Sequence, residues 1–183
     1  MQLETERLVL RKPDREDVDG YVEMWSDPEV VRFIGGKTGG PKEAADAIER
    51  MLRHWDRHGI GLFTVVRKED ERMIGRTGFL LWDPERWISA LREELDGPLE
   101  SEIGWTFARA FWNRGYATEA ALACRDFALG ELGKTRLVSL IAFGNDPSVR
   151  VAEKIGESLE RENLPGEFRR RVDLYSLGKR PAR

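Results

Sequence analysis

Residues 100–107, Glu-Ser-Glu-Ile-Gly-Trp-Thr-Phe, read as a β-strand whose alternation places Glu102, Gly104 and Thr106 opposite Ile103, Trp105 and Phe107. A short loop through Arg114-Gly115 then gives way to Ala117, Ala120, Ala121, Cys124, Phe127 and Ala128 at helical spacing, with Gly133 as a stop. No other stretch restricts the fold as strongly. A strand feeding a tight loop and a helix presents unpaired N–H groups and a favourable dipole at the helix start, an arrangement suited to a diphosphate. Gly115 and Ala117 would let phosphate oxygens approach, Arg114 adds positive charge, and the Thr118 hydroxyl can donate a hydrogen bond. Taken alone, the loop serves equally well as a strand-to-helix turn that needs glycine for backbone reasons.

The surrounding pattern alternates strands and helices. Residues 3–11 read as a first strand, Val18 to Trp25 as a short helix behind Asp14, and Pro41 to Gly59 as a longer helix with apolar positions at three and four. Two β-rich segments, 60–67 and 73–82, form a hairpin about the charged turn 68–72. Residues 136–143 are nearly continuous apolar sequence and suit a strand covered on both faces. A last helix spans 147–155, and strands 158–164 and 168–177 flank the turn Pro165-Gly166. Within 83–99, Trp87, Leu91 and Leu95 are spaced by four, as on one face of a short helix. The glycine-rich stretch 35–40 lacks the residue order of a phosphate loop and reads as a flexible connection.

The 183 residues suit one domain, and no apolar run is long enough to span a bilayer. The N-terminus has no signal-peptide pattern, so a cytoplasmic location is expected. A net charge of −3 points away from nucleic acid, and the basic tail 179–183 reads as a soluble end. Such a protein would tolerate a cationic acceptor. Cys124 reads as an inert core residue, and His54 and His58 as part of a solvated helix face rather than a metal site.

Three linked motifs carry a resemblance: Glu102-Ile-Gly-Trp, Phe111-Trp-Asn-Arg-Gly-Tyr-Ala-Thr-Glu-Ala, and Asn145-Asp-Pro-Ser-Val-Arg-Val-Ala-Glu-Lys-Ile-Gly. In this order they resemble the GNAT acetyltransferase superfamily. The opening Leu3-Glu-Thr-Glu-Arg-Leu-Val-Leu-Arg and closing Val172-Asp-Leu-Tyr-Ser-Leu resemble its branch of ribosomal-protein N-terminal (alanine) acetyltransferases. The resemblance implies a mixed α/β fold with a bent, mostly antiparallel sheet of about seven strands flanked by about four helices. It also implies a splay in mid-sheet that receives acetyl-CoA as cosubstrate, and no metal. The activity implied is acetyl transfer to a primary amine, either a protein N-terminal α-amine or a small molecule, by direct attack in a ternary complex. A non-catalytic module that binds coenzyme A for regulation or interaction is the alternative. No membrane or nucleic-acid partner is implied, and the protein is expected as a monomer or homodimer.

The family's phosphate-binding pattern falls on Trp112-x-x-Gly115-x-Ala117, with Trp where Gln or Arg is usual. The resemblance thus assigns the diphosphate to backbone N–H groups of Asn113, Arg114, Gly115, Tyr116, Ala117 and Thr118. It assigns the pantetheine arm to backbone near Thr106 and Phe107, where the family has a β-bulge, and to Asn145. Glu102 is the implied general base, because a free amine is protonated near neutral pH and must lose a proton to attack. The Tyr that many members use to protonate the leaving thiolate is replaced by Ala152, which leaves Ser148 as the available hydroxyl. Ser148 equally suits a first-turn residue that satisfies backbone N–H groups. Segment 83–99 is longer than the family's usual connection, so it is expected at the acceptor mouth, at a subunit contact or as a surface excursion.

Overall fold

An N-terminal hairpin opens the fold where a single strand was expected. The computed structural model describes residues 1–165 and 171–178. In it β1 (Gln2–Glu4) and β2 (Leu8–Arg11) fold back on one another with Leu3 opposite Leu10, because the polar Thr5-Glu6-Arg7 makes a turn closed by the Thr5 N–H on the Leu8 carbonyl. A 3-10 turn at Arg15–Asp17, capped by the Asp14 side chain, leads into α1 (Val18–Trp25). Asp27-Pro28 ends α1 as expected but also starts α2 (Pro28–Val31), with the Asp27 carboxylate accepting from the Glu29 N–H. Asp caps a helix start and Pro fits its first turn, so one dipeptide both breaks and nucleates. Helix α3 (Pro41–His58) stops at Gly59, whose φ of 69° is the left-handed conformation that glycine tolerates.

Strands β3 (Leu62–Arg67), β4 (Arg72–Trp82) and β5 (Glu100–Phe107) continue the sheet antiparallel from β2. Helix α4 (Tyr116–Gly130), strand β6 (Leu137–Ala142), helix α5 (Asp146–Lys154) and strands β7 (Ser158–Pro165) and β8 (Arg171–Leu177) complete an eight-stranded sheet ordered β1-β2-β3-β4-β5-β6-β8-β7. The extra strand and the extra helix over the expected counts are the split hairpin and α2. Gly166 and the start of the expected strand 168–177 lie outside the described residues, as does the tail 179–183. Among the described residues no helix is long and apolar enough to cross a membrane.

Every neighbouring pair is antiparallel except β5 and β6, which run parallel and meet at one register position, Glu102 opposite Val138. Beyond it the sheet parts. One face of β4 and β5 buries Ile74, Phe79, Ile103 and Phe107 against the small stripe Ala120, Ala121, Cys124 and Ala128 of α4. Small residues let the helix lie close to the sheet, and burial pushes the Cys124 thiol up to about 12, which makes it inert. A second cluster joins α1, α2 and α3 through Tyr21, Val30 and Ile48.

Segment 83–99 is not a helix. Trp87 has a φ of 53°, Ser89 forms a bridge to Trp82, and the chain is held by turns such as Trp87 N–H to the Asp83 carbonyl at 2.9 Å. The spacing of four fails because Trp87 is drawn down onto Trp82, Val138 and Leu174 beside the parting strands, and burial of a large aromatic outweighs one turn of helix. The same segment meets α3, where Arg57 pairs with Glu94 at 2.8 Å. That corrects the solvated histidine face: His54 is buried at 3% exposure, and neither ring nitrogen finds a partner of acceptable geometry among the described residues. Burial, helped by the neighbouring His58, pushes the His54 ring down to about 4.

Candidate active site

The parting of β5 from β6 is bridged by side chains. Because β5 pairs antiparallel with β4, alternate residues turn their main-chain groups toward β4 and toward β6. The Ser139 hydroxyl donates to the Ile103 carbonyl at 2.8 Å, so the odd-numbered residues of β5 face β6. The next parallel rung would join that carbonyl to the Leu140 N–H. Instead Ser139 takes the carbonyl, and Glu102 Oε1 accepts from the Leu140 N–H at 3.4 Å. Past this point the N–H and C=O of Trp105 and the N–H of Phe107 look into the gap without a strand partner among the described residues. The Phe107 carbonyl accepts from Trp112 Nε1 at 2.7 Å, which gives Trp112 a structural part at the loop.

Two expectations change as a result. The β4/β5 register is unbroken from Gly75–Phe107 to Trp82–Glu100, so the bulge foreseen near Thr106 and Phe107 is absent there, and the irregularity in this region falls between β3 and β4 at Val65/Val66. The main chain of Thr106 pairs toward Arg76 on β4, so Thr106 faces the cavity with its side chain, and Trp105 supplies the main-chain groups.

A cavity of about 760 Å³ follows the gap. Glu102, Gly104, Trp105 and Thr106 line one wall, Ser139 to Ala142 the other, and Asn145 and Ser148 its end at α5. Glu102 is 7% exposed, and its other oxygen accepts from Trp82 Nε1. Two N–H donors therefore fix the carboxylate's orientation. A Cβ placed on Gly104 would meet the Glu102 carboxylate at 3.8 Å and nothing else within 4 Å, so bare space adjoins that oxygen. At α5 the Asn145 side chain caps the helix by accepting from the Ser148 N–H at 3.4 Å. Asn145 thus does the capping considered for Ser148, whose side chain lines the cavity. Ala152 is fully buried and brings no acid. Segment 83–99 reaches the cavity through Ser89, Leu91 and Arg92, and the glycine-rich connection does so through Lys37, Thr38 and Gly39, which sequence reading left without a role.

The loop 113–118 sits beyond that cavity. Gly115 is the N-cap of α4 with a φ of 82°, and among the described residues no acceptor takes the N–H groups of Tyr116, Ala117 and Thr118. Gly115 and Thr118 line a shallow hollow together with Arg7 and Lys154, two cations the sequence did not single out, and with Glu6 and Glu119, the latter paired with Arg7. Asn113 has a φ of 58°, Arg114 is exposed, and Tyr116 is buried under the Arg7 guanidinium, 4.4 Å from its ring centroid. Arg7 also donates to Glu119 at 2.7 Å and to the Arg114 carbonyl at 3.1 Å, so the first hairpin braces the loop.

A second buried carboxyl lies behind the gap. Glu157 is 4% exposed, and among the described residues neither oxygen has a hydrogen-bond partner of acceptable geometry. The nearby Ser139 hydroxyl favours its ionised form but donates to Ile103 instead. Burial first, and the charge of Glu102 after it, push Glu157 up to about 8.

Known proteins share this architecture. Residues 7–157 match the model of the acetyltransferase (GNAT) domain. An uncharacterized N-acetyltransferase of Bacillus licheniformis, p20, is 29% identical over 97% of this chain and 96% of its own. A crystal structure of an acetyltransferase from Agrobacterium tumefaciens superposes with a TM-score of 0.76 at 28% identity, covering 98% of this chain and 95% of the other. RimL, a ribosomal α-N-protein acetyltransferase solved in complex with coenzyme A, shares the fold with a TM-score of 0.78 at 14% identity over 97% of each chain. With the family match covering most of its length and the mid-sheet splay in place, this chain belongs to the GNAT acetyltransferases.

Proposed function

We propose that the protein is an acetyl-CoA-dependent N-acetyltransferase acting on a primary amine, a protein N-terminal α-amine or a small molecule, by direct attack in a ternary complex. The observation that carries this reading is the strand gap. It has a carboxylate at its head, a row of unpartnered main-chain groups along β5, and a glycine-capped helix N-terminus beyond the end of the same strand.

The residues present fit the coenzyme. Unpaired N–H groups at Tyr116, Ala117 and Thr118, with Arg114 and Lys154 near them, suit a diphosphate. The N–H and C=O of Trp105 suit the amides of an extended arm, with Asn145 at its side. Acetyl-CoA would supply an acetyl group already activated as a thioester. An N–H of Trp105 or Phe107 would donate to the carbonyl oxygen as charge grows there, a contribution of about 10²- to 10³-fold in rate. Glu102 would take the amine proton, directly or through a water, into the space above Gly104. The Ser148 hydroxyl would give a proton to the departing sulfur and regain one from solvent. Segment 83–99 would wall the acceptor end.

The test is thiol release from acetyl-CoA against a panel of amines and peptides, with wild type and Glu102→Gln. Glu102→Gln should slow turnover by about 10²- to 10⁴-fold, most at low pH where the amine is protonated, and leave acetyl-CoA affinity nearly intact. Saturable acetyl-CoA binding with no turnover on any amine would instead support a regulatory coenzyme A module. A pH–rate profile indifferent to Glu102→Gln would remove that residue from the chemistry.

A further inference from the structure

Resting on the acetyl-transfer reading, we infer that the acceptor amine carries an anionic group, a carboxylate or phosphate, bound by Arg76 with Arg50 beside it. Overall the chain is mildly acidic, at −3, but the acceptor half of the cavity has the opposite sign. Its charged wall comprises Lys37, Arg50, Arg76 and Arg92 against Glu43 and Glu102. Glu43 is already engaged with the Gly40 N–H at the start of α3.

Arg76 is the unusual member. Arg11 and Arg136, also held at the sheet, have carboxylates: Arg11 meets Asp17 at 2.5 Å, and Arg136 meets Glu100 at 3.1 Å and Glu160 at 2.8 Å, whereas Arg161 on β7, like Arg76, lies over an indole, 5.2 Å from the Trp87 ring centroid, but away from the cavity. Arg76 has no ion pair or hydrogen bond among the described residues, and its guanidinium lies 5.4 Å from the Trp25 ring centroid. A guanidinium stays protonated, so removing it from water without an anion is unfavourable. Burial pulls the half-buried Arg76 below the usual arginine range; Tyr21 and the charge of Glu102 oppose that shift without forming an ion pair with it, and the positive charge of Arg50 adds to it. Both features are relieved when an anion sits between the two side chains.

The spacing suits a two-ended acceptor. Arg76 stands opposite Thr106 and Glu102 opposite Leu80, so Arg76 and Glu102 share one face of the β4/β5 pair at an offset of four residues. That is roughly 13 Å along the strands between the two backbone positions, and both side chains line the same cavity. Gly104 lies between them as a floor without a side chain. An amine next to Glu102 and an acid next to Arg76 span it. Two chemistries present such a pair: a small amino acid or phosphorylated amine, and a peptide N-terminus followed by an acidic side chain.

Kinetics on matched pairs tests the site: γ-aminobutyrate against its amide, phosphoethanolamine against ethanolamine, and C-terminally amidated tetrapeptides with Asp or Asn at the second position. At least one anionic member should exceed its neutral match by about tenfold or more in kcat/KM, as a charge-assisted contact predicts, and the pair that does so identifies the source. Arg76→Met should bring that ratio within about threefold of unity, and Arg76→Lys should restore part of it. Neutral members that match or beat the anionic ones, or an Arg76→Met that slows both members equally, would overturn the site. Absence of turnover on every amine would overturn acetyl transfer instead. The anion site is then judged by calorimetry with the same pairs: binding of an anionic member that Arg76→Met removes upholds it, and equal binding of both members refutes it. Should Arg76→Met lose its circular dichroism, Arg50→Ala, on the half-exposed face of α3, replaces it in both assays.

Discussion

Replacing Glu157 by Gln should stabilise the protein, and by more as the pH rises. In the native state the carboxyl keeps its proton up to a pH of about 8, whereas its ordinary value is 4.5. Between those values the unfolded chain has released a proton that the native chain still holds, so native stability falls with rising pH. At ~1.4 kcal/mol per pH unit the full effect is about 5 kcal/mol, and water reaching the site would reduce it to about 2 kcal/mol. Gln has nearly the same shape and does not titrate. The variant should therefore match wild type near pH 5 and exceed it by about 2–5 kcal/mol at pH 8.5, a rise of roughly 5–15 °C in Tm for a chain of this size. His54 acts in the other direction, because a histidine held neutral down to about 4 removes stability as pH falls below 6.5, but it is common to both proteins and cancels in the difference. Thermal unfolding of both proteins from pH 5 to 8.5 gives the difference curve. Parallel curves would show that Glu157 is not a buried neutral acid. A variant that is less stable at high pH would show a native carboxylate with a true partner, for which Arg136, already shared by Glu100 and Glu160, is the nearby cation.

Two further substitutions separate coenzyme binding from chemistry. Gly115→Ala places a side chain at a φ of 82° and should cost about 1 kcal/mol of stability, while Gly115→Glu adds negative charge at the unpaired N–H groups and should weaken acetyl-CoA binding at least about 100-fold by calorimetry, with circular dichroism unchanged. Normal affinity in Gly115→Glu would mean the diphosphate lies elsewhere. Trp82→Phe removes the indole donor from Glu102 and should lower kcat about tenfold with little change in the KM for acetyl-CoA. In a Glu102→Gln background the same change should add almost nothing, and full additivity would show that Trp82 acts only through packing.

The sequence was legible where local rules and tertiary needs agree. Strand 100–107 and the helix start at Gly115 were read correctly, because alternation and a left-handed glycine are set by neighbours in the chain. The face to which Glu102 belongs followed from the same alternation. Which main-chain groups enter the gap did not, because that depends on whether odd or even residues pair with β4, a choice made by the partner strand. Thr106 therefore turns its main chain to β4 and its side chain to the cavity, and the main chain of Trp105 takes the position facing the gap. Residues 83–99 were misread because a spacing of four is shared by a helix and by three apolar anchors that drop independently onto a surface; Trp87 and Leu95 are both buried without helix. His54 looked solvated only while that covering segment was unplaced. Arg76 carried no signal among thirty basic residues, since what sets it apart is a place in the cavity wall with no ion pair among the described residues, which is a matter of three dimensions.

The bridging of the gap by Ser139 and Glu102 leaves the peptide N–H and C=O of Trp105, rather than a side chain, facing the slit. A greasy guest would strand its N–H and C=O dry, whereas an extended chain of amides could replace water there group for group, so on the proposed reading the slit would discriminate by polarity pattern without any residue identity to mutate. Alanine scanning would pass over such an element in silence; amide-to-ester replacement at that peptide bond, or slowed hydrogen exchange there when the coenzyme is added, is the kind of signal that would reveal it.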